Sequence, residues 1–453
     1  MRRVLIANRG EIACRVIRSC KALGIETVAV HSEADAGSLH TVLADRAVAI
    51  GPAKAADSYL RMERVLDAAI ETGADAIHPG YGFLAENAGF ARAVMEAGLT
   101  WVGPDPRTIE DMGDKERARL LAHGAGVPIL QGSPRFLEGQ LDGLEEAGAA
   151  VGYPLLVKAA AGGGGIGMRK VERPEQLRDV VGSTQTMARN AFGDGCVYLE
   201  RYLHPARHIE IQVFGFGDGR AIHVFERECS IQRRFQKIVE ESPAPRLSAA
   251  TRNRMAEAAV ALARQERYRG AGTIEFVVGP DEDFYFLEMN TRIQVEHPVS
   301  EMLTGLDLVG MQLRLARGDR DLADQYPQAA VTATGHALEC RLYAERPEMN
   351  FLPSPGPLTV FRLPPEGHGL RVDTGYREGD KVTHYYDPML AKLVVHAADR
   401  TAALDRMAAV LDTVQVEGIR TNAAFLGKLM RHPRFRAGES WTGFVESYLS
   451  DLK

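Results

Sequence analysis

The sequence has 453 residues, of which 45% are hydrophobic and 25% are charged, so the chain can bury a sizeable core and wholesale disorder is excluded. Its 54 basic and 60 acidic residues are interspersed and give a net charge of −6, which leaves no basic field for nucleic acid or an anionic membrane. The 5 cysteines form no CxxC pair and no apolar run approaches the ~20 residues of a membrane span, so a cytoplasmic protein of about three domains is expected.

The N-terminal part alternates between strand and helix patterns. An apolar run at Val4–Ala7 predicts a strand, and apolar residues at helical spacing predict a helix over Glu11–Leu23. Ser58 is predicted to cap a second helix that closes at Gly73. Further strands are predicted at Thr27–Val30, Ala47–Ile50, Asp75–His78 and Thr100–Gly103. This alternation is typical of a parallel, doubly wound sheet.

A glycine-rich segment lies between two short runs that favour strands. Leu155–Lys158 precedes the tetraglycine Gly162–Gly165, and Met168–Val171 follows it, which predicts a hairpin with a glycine-rich tip. Glycines let backbone N–H groups approach an anion, and Lys158 adds a positive charge. A flexible surface loop is the alternative, and without a GK[ST] ending the segment is not a P-loop.

Two acidic residues are predicted to face each other on a second hairpin. Its strands are Thr273–Gly279 and Asp283–Asn290, and pairing about their turn places Glu275 opposite Glu288. Opposed carboxylates repel unless a cation lies between them. Asn290 shares their face, and carboxylate and amide oxygens suit Mg²⁺ shared with phosphates. The alternative is a solvated sheet face.

The polar alternation continues beyond this hairpin. An extended strand would present one row of side chains: Glu288, Asn290, Arg292, Gln294 and Glu296. Such a row suits a site that holds a metal, then an anion and then a base, although many acidic rows are simply surface. The basic run Gln232–Lys237 is interpreted as a solvated face unless it folds beside this row.

Several motifs together resemble those of one family. They are Met1–Ala13, His78–Leu84, Met112–Lys115, the tetraglycine, Glu288–Pro298, Glu339–Arg341 and Tyr386–Leu390. From residue 1 to at least residue 430 the chain resembles biotin carboxylase, the ATP-grasp component of biotin-dependent carboxylases. The run Glu288–Pro298 separates it from other ATP-grasp ligases, which share only the lysines, the glycine loop and the metal pattern.

The resemblance implies an α/β chain with the ATP-grasp fold. It implies an N-terminal domain with a doubly wound parallel sheet over 1–114, and an ATP-grasp domain over 115–330. A mobile glycine-rich lid over about 131–203 belongs to the second domain. A C-terminal mixed α/β domain over 331–445 completes the predicted organisation.

Site residues are carried over from the family's motifs by resemblance. Those implied to bind ATP are Lys115, Lys158, Gly163, Gly164, Gly165, Gly167, Met168, Glu200, Arg201, Leu203, His208 and Gln232. Those implied to bind the metal are Glu275, Glu288 and Asn290. Those implied to hold bicarbonate are Lys237, Arg292, Gln294 and Val295. Those implied to contact biotin are Tyr81 and Arg341.

The implied reaction is the ATP-dependent carboxylation of biotin by bicarbonate, through carboxyphosphate, to give N1′-carboxybiotin, ADP and phosphate. Glu296 resembles the base, Arg292 and Lys237 fix bicarbonate, and Arg341 resembles the residue that stabilises the biotin enolate. The implied cofactors are ATP and Mg²⁺ or Mn²⁺, with two ions expected, and biotin is a carrier-bound substrate. A non-catalytic homologue and a ligase that joins a carboxylate to an amine are the alternatives.

Partners follow from the same resemblance. No Met-Lys-Met biotin-attachment motif occurs, so we expect a biotin carboxyl carrier protein or domain, a carboxyltransferase, and a homodimer or larger complex. The final acceptor stays open among acetyl-CoA, propionyl-CoA, another acyl-CoA, pyruvate and urea. Departures from the family pattern are Ile166, Phe235, Tyr343 and Arg346. The segments 374–377 and 386–392 look nearer to the α chains of acyl-CoA carboxylases.

Overall fold

A computed structural model describes residues 1–160 and 167–453. Its N-terminal part alternates strands with helices, as predicted. These elements are β1 Arg3–Ile6, α1 Gly10–Ala22, β2 Glu26–Ser32, α2 Leu39–Leu43, β3 Arg46–Gly51, α3 Met62–Thr72, β4 Ala76–His78, α4 Ala88–Glu96, β5 Thr100–Trp101, α5 Pro106–Gly113 and α6 Lys115–Gly124. The five strands form a parallel sheet in the order β3-β2-β1-β4-β5.

The strand order reverses beside β1, and the loops that follow β1 and β4 meet there. The Asn8 side-chain amide donates to the carbonyls of Pro79, at 2.8 Å, and Tyr81, at 2.7 Å. Crevices at the carboxyl ends of strands beside such a reversal are where open α/β sheets bind ligands. The two loops therefore form one wall of the candidate site.

One predicted helix begins later than expected. Ser58 is not a cap, because Ala55–Asp57 form a short 3₁₀ turn and the Ser58 hydroxyl donates back to the carbonyl of Lys54 at 2.8 Å. The helix α3 starts at Met62 instead, and it ends as predicted at Gly73, which adopts the left-handed conformation with φ 64°.

A small antiparallel sheet carries the glycine-rich hairpin. Its elements are α7 Leu144–Val151, β6 Leu155–Ala159, β7 Met168–Val171, α8 Leu177–Phe192 and β8 Val197–Arg201, with the strand order β7-β6-β8. The hairpin is confirmed, since Lys158 pairs with Met168 and Leu155 with Val171. The tip, including Gly163, Gly164, Gly165 and Ile166, lies outside the described residues.

An eight-stranded antiparallel sheet forms the centre of the chain. Its first elements, with the helices that pack near them, are β9 Arg207–Phe216, β10 Ala221–Arg233, β11 Gln236–Ser242, α9 Ala249–Gln265, β12 Arg269–Val278, β13 Phe284–Asn290, α10 His297–Thr304, α11 Leu308–Ala316 and α12 Leu322–Gln325. Alternation along β9 buries Ile209 and Ile211 in the core shared with α9. Glu210 and Gln212 consequently point to the opposite face, toward the candidate site.

The C-terminal part contributes strands to the same sheet. Its elements are β14 His336–Tyr343, β15 Glu345–Arg346, β16 Leu352–Pro353, β17 Gly356–Pro357, β18 Val360–Arg362, β19 Leu370–Thr374, β20 Lys381–Val382, β21 Met389–Ala397, α13 Arg400–Thr413, β22 Gln415–Glu417, α14 Ala423–Arg431, α15 Pro433–Arg436, α16 Phe444–Ser447 and α17 Leu449–Leu452. The large sheet has the order β13-β12-β9-β10-β11-β14-β21-β19, so it runs across the predicted boundary at residue 330. The division into three domains stays a prediction.

Candidate active site

A cavity of about 790 Å³ lies between the N-terminal loops, the glycine-rich hairpin and the large sheet. The structure brings together most of the residues predicted for the site. Those that line the cavity are Tyr81, Lys115, Lys158, Met168, His208, Gln232, Lys237, Glu275, Glu288, Asn290, Arg292, Gln294, Val295, Glu296 and Arg341. Residues distant in sequence thus converge on one cavity of a size that suits a nucleotide and a small second substrate.

Four predicted ATP contacts do not line the cavity: Gly167, Glu200, Arg201 and Leu203. Glu200 is buried and pairs with Lys158, which lines the cavity, and with Arg119 at 2.6 Å. Gly167 accepts a hydrogen bond from the Ala159 amide at 2.8 Å and so closes the base of the hairpin. The role of 200–203 as an adenine hinge stays a prediction.

The predicted pair of opposed glutamates is present. Glu275 on β12 and Glu288 on β13 are direct register partners beside a bulge, and the Asn290 side-chain amide donates to Glu275 at 2.9 Å. Burial, reinforced by the charge of Glu275, raises the pKa of Glu288, and Lys115 only partly offsets this rise. In the described part of the chain, no side chain donates a hydrogen bond to the Glu288 carboxylate.

This donor set fits a divalent cation. Two carboxylates and a neighbouring amide oxygen are the hard ligands that Mg²⁺ prefers, and a cation between the carboxylates would relieve their repulsion. The neighbouring group of His208, Glu210 and Glu275 already contains a cation. Despite burial, Glu275 raises the pKa of His208 to about 9, so His208 is itself a cation at neutral pH.

The predicted strand beyond Asn290 is wrong. β13 ends at Asn290. The next two residues bind Glu86, whose carboxylate accepts hydrogen bonds from the Thr291 amide at 3.2 Å and from the Arg292 side chain at 2.8 Å. Glu296 becomes the N-cap of α10, whose first turn contains a proline that favours a helix start. The row of polar residues is therefore a strand end, a loop and a helix start.

The side chains of that row still gather, because Lys237 lies among them. Its ammonium is 2.6 Å from Glu210, 2.8 Å from Glu275 and 2.7 Å from Glu296. Burial alone would lower the pKa of Lys237, but these three carboxylates raise it well above its usual value. Lys237 therefore stays charged, and it lies between the end of the site that fits a metal and Glu296.

Glu296 is a buried carboxylate that remains ionised. Burial raises its pKa, but Lys237 and Arg341 hold it below the usual range, and Arg341 donates to Glu296 at 2.9 Å. Arg341 also contacts Glu240 at 2.6 Å. Arg292 reaches the Asn290 oxygen at 2.9 Å. Two cationic groups, Lys237 and Arg341, thus contact the carboxylate that could accept a proton.

Arg227 was not predicted as a site residue, although it organises the floor of the site. It is fully buried and donates to Glu210 at 2.6 Å, to Gln212 at 2.6 Å and to Gln294 at 2.7 Å. The alternating pattern of β9 could have indicated Glu210 and Gln212, because their apolar neighbours point the other way. No local sequence pattern indicates Glu86, which reaches the site from the loop after β4.

Family models match almost the whole chain. "Biotin carboxylase, N-terminal domain" matches residues 1–109, "Carbamoyl-phosphate synthase L chain, ATP binding domain" matches 114–323, and "Biotin carboxylase C-terminal domain" matches 339–447. Among the described residues, none of the helices combines the length and apolar character needed to cross a bilayer.

Similar proteins agree with these matches. The biotin carboxylase of Halalkalibacterium halodurans is 48% identical, with 99% of this chain and 98% of that protein covered. The mitochondrial methylcrotonoyl-CoA carboxylase subunit alpha of Rattus norvegicus is 45% identical over 99% of this chain, and the chain spans only 62% of its length. The biotin carboxylase domain dimer of Hydrogenobacter thermophilus 2-oxoglutarate carboxylase, solved with MgADP, ADP and bicarbonate, superposes with a TM-score of 0.94 at 43% identity, covering 100% of this chain and 98% of that one.

Proposed function

Because the chain belongs to the biotin carboxylase family, we propose that it carboxylates carrier-bound biotin with bicarbonate at the expense of ATP. It has the ATP-grasp fold and is an ATP-grasp ligase. The observation that carries the proposal is Lys237, whose one ammonium contacts both Glu275 of the opposed pair and Glu296. This contact supports the proposal, because bicarbonate activation by ATP requires a phosphate-and-metal region beside an anion-and-base region.

The nucleotide end of the site is assigned to cations and to the opposed glutamates. Lys115 and Lys158 line the cavity and would neutralise the phosphates of ATP. Glu275 and Glu288, with Asn290 beside them, would hold Mg²⁺, which supplies charge neutralisation at the phosphates when bound. Burial lowers the pKa of Lys115, and Glu288 partly restores it, so the lysine and the acid depend on each other.

The bicarbonate end is assigned to the loop before α10. Arg292, Gln294 and Val295 line the cavity there and would fix the anion. Glu296 would take the bicarbonate proton, and in doing so it would exchange its present contacts with Lys237 and Arg341 for contacts to substrate. The same two cations would then balance the charge of the bound anion.

The proposed reaction has two steps. A bicarbonate oxygen attacks the γ-phosphorus, the bond to the β-γ bridging oxygen breaks, and ADP leaves. Carboxyphosphate then yields CO₂ and phosphate, and phosphate accepts the N1′ proton of biotin as N1′ attacks CO₂. Arg341, which lines the cavity, would stabilise the oxyanion of the biotin enolate, and Tyr81 would border the biotin.

The partners are a biotin carboxyl carrier protein or domain and a carboxyltransferase. Support comes from the relatives, in which this length of chain is part of a longer carboxylase subunit. A homodimer is proposed from the dimeric domain of Hydrogenobacter thermophilus. The segments 374–377 and 386–392 resemble the α chains of acyl-CoA carboxylases, and the final acceptor stays open.

ATP hydrolysis with and without bicarbonate tests the proposal. Purified protein should hydrolyse MgATP slowly, and faster when bicarbonate and free biotin are both added, with carboxybiotin as a product. Turnover that is indifferent to bicarbonate would indicate a nucleotide-binding homologue instead. A product in which a carboxylate is joined to an amine would indicate the other ligase.

A further inference from the structure

A fully buried lysine lies behind the loop that precedes α10. Lys392 on β21 is the register partner of Arg341 on β14, so both side chains leave the sheet on one face. Its ammonium donates to the main-chain carbonyl of Val295 at 2.9 Å. None of the roles assigned above uses Lys392, although it contacts the loop at Val295.

The carbonyl that Lys392 binds is part of a planar peptide. The Val295 carbonyl and the Glu296 amide lie in one plane, so a hydrogen bond to the carbonyl fixes the direction in which the chain enters Glu296. The loop has no strand or helix of its own to hold it, because β13 ends at Asn290 and α10 begins at His297. Its geometry therefore depends on tertiary contacts such as this one.

Lys392 also connects this loop to the N-terminal wall of the cavity. Its ammonium is 3.0 Å from Glu11 and 3.7 Å from Asp373, and both carboxylates are buried. Glu11 in turn accepts from the hydroxyl of Tyr81. A continuous chain of polar contacts thus joins Tyr81, on the proposed biotin side, to Val295, on the proposed bicarbonate side.

We propose that Lys392 is a positioning residue for bicarbonate. It holds the peptide between Val295 and Glu296 so that the anion site and the base keep their spacing, and it ties that peptide to the N-terminal wall through Glu11. The inference rests on the proposed function, because it concerns the same bicarbonate site. A merely structural ion pair would affect folding without singling out one substrate.

The test is the bicarbonate dependence of ATP hydrolysis by Lys392→Met. We expect KM for bicarbonate to rise at least tenfold while KM for ATP stays within twofold. Arg371→Met is the matched control: Arg371 pairs with Asp373 at 2.6 Å and with Glu301 at 2.7 Å, and within the described ranges it contacts no residue of 291–296. This control should keep both KM values within twofold.

The outcomes are distinguishable. If the unaltered protein shows no bicarbonate-stimulated hydrolysis, the proposed function fails. If the unaltered protein does show bicarbonate-stimulated hydrolysis, two results overturn the positioning role. One is that Lys392→Met leaves KM for bicarbonate unchanged, and the other is that it raises both KM values equally. If Lys392→Met does not fold, Glu11→Gln/Lys392→Met removes both charges of the pair and is measured in its place. Failure of that variant to fold overturns the proposal too, because Lys392 would then be needed for folding itself.

Discussion

The large sheet has several pairs of opposed glutamates, and two of these pairs differ in their surroundings. Glu275 faces Glu288 across β12 and β13, and Glu240 faces Glu339 across β11 and β14. The first pair lines the cavity. The second has no exposed surface, and within the described part of the chain the Glu339 carboxylate accepts no hydrogen bond. The same strand pairing thus creates an open acid pair and a sealed one.

The difference shows two ways to relieve like-charge repulsion. At the open pair a cation can enter, and Glu275 is already compensated by Lys237 and Asn290. At the sealed pair, burial raises the pKa of Glu240 to about 7, against the pull of Arg341, and holds that of Glu339 well above its usual value. Where burial outweighs the nearby cation, a buried pair is relieved by protons, so opposed acids alone do not identify a metal site.

Disruption of the open pair should cause the largest loss of activity. Glu288→Gln should reduce MgATP turnover by at least about 100-fold, because it removes an anionic metal ligand. Glu339→Gln makes the same substitution in the sealed pair and should stay within tenfold of the unaltered protein. Steady-state hydrolysis measures both. Equal losses would show that the two pairs do not differ in function.

Removal of the base should be nearly as severe but confined to one substrate. Glu296→Ala should abolish bicarbonate-dependent ATP cleavage, while KM for ATP changes less than in Glu288→Gln. The reason is that, among the residues that the structure describes, Glu296 touches the metal end only through Lys237. Initial rates over a grid of ATP and bicarbonate concentrations check this. A matching rise in KM for ATP would contradict the assigned roles.

Stabilisation by a bound nucleotide should distinguish the open pair from the sealed pair in a measurement that does not depend on turnover. MgADP should raise the thermal midpoint of the unaltered protein and of Glu339→Gln, because a ligand that binds the folded state stabilises it by mass action. The rise in Glu288→Gln should be much smaller. Differential scanning fluorimetry with MgADP, with ADP in EDTA and with no ligand makes the measurement. A shift in Glu288→Gln equal to that of the unaltered protein would place the metal elsewhere.

The smallest effect concerns stability and pH. Because the folded pKa of Glu240 is about 7, above its ordinary value of 4.5, the native state binds more protons than the unfolded state in this window, and this group's contribution to stability falls as pH rises from about 4.5 to 7. Glu240→Gln mimics the protonated acid. It should raise the thermal midpoint at pH 8 by a few degrees and change it little at pH 4.5. An equal shift at both pH values would contradict the raised pKa.

The local elements of the fold could be predicted from the sequence alone. Alternation and turn residues indicated the parallel N-terminal sheet, the glycine-rich hairpin and the pairing of Glu275 with Glu288, because strand–helix alternation is a local pattern and both hairpins join residues close in sequence. The prediction of one extended strand through Glu296 was wrong, because the strand ends at Asn290. The two residues that follow bind Glu86, which lies some two hundred residues earlier in the chain. Period-2 alternation carries no signal for such a distant contact.

The way in which the buried charges are compensated depends on tertiary contacts. By residue pattern alone Lys237 belongs to an ordinary basic run, and only the family resemblance implied a role for it. The turn between β10 and β11 brings its ammonium to three carboxylates. Likewise, nothing near Lys392 in the sequence distinguishes it, and it matters because it reaches the Val295 carbonyl. Electrostatic roles depend on burial and on partners within a few ångströms, and strands far apart in sequence bring those partners together.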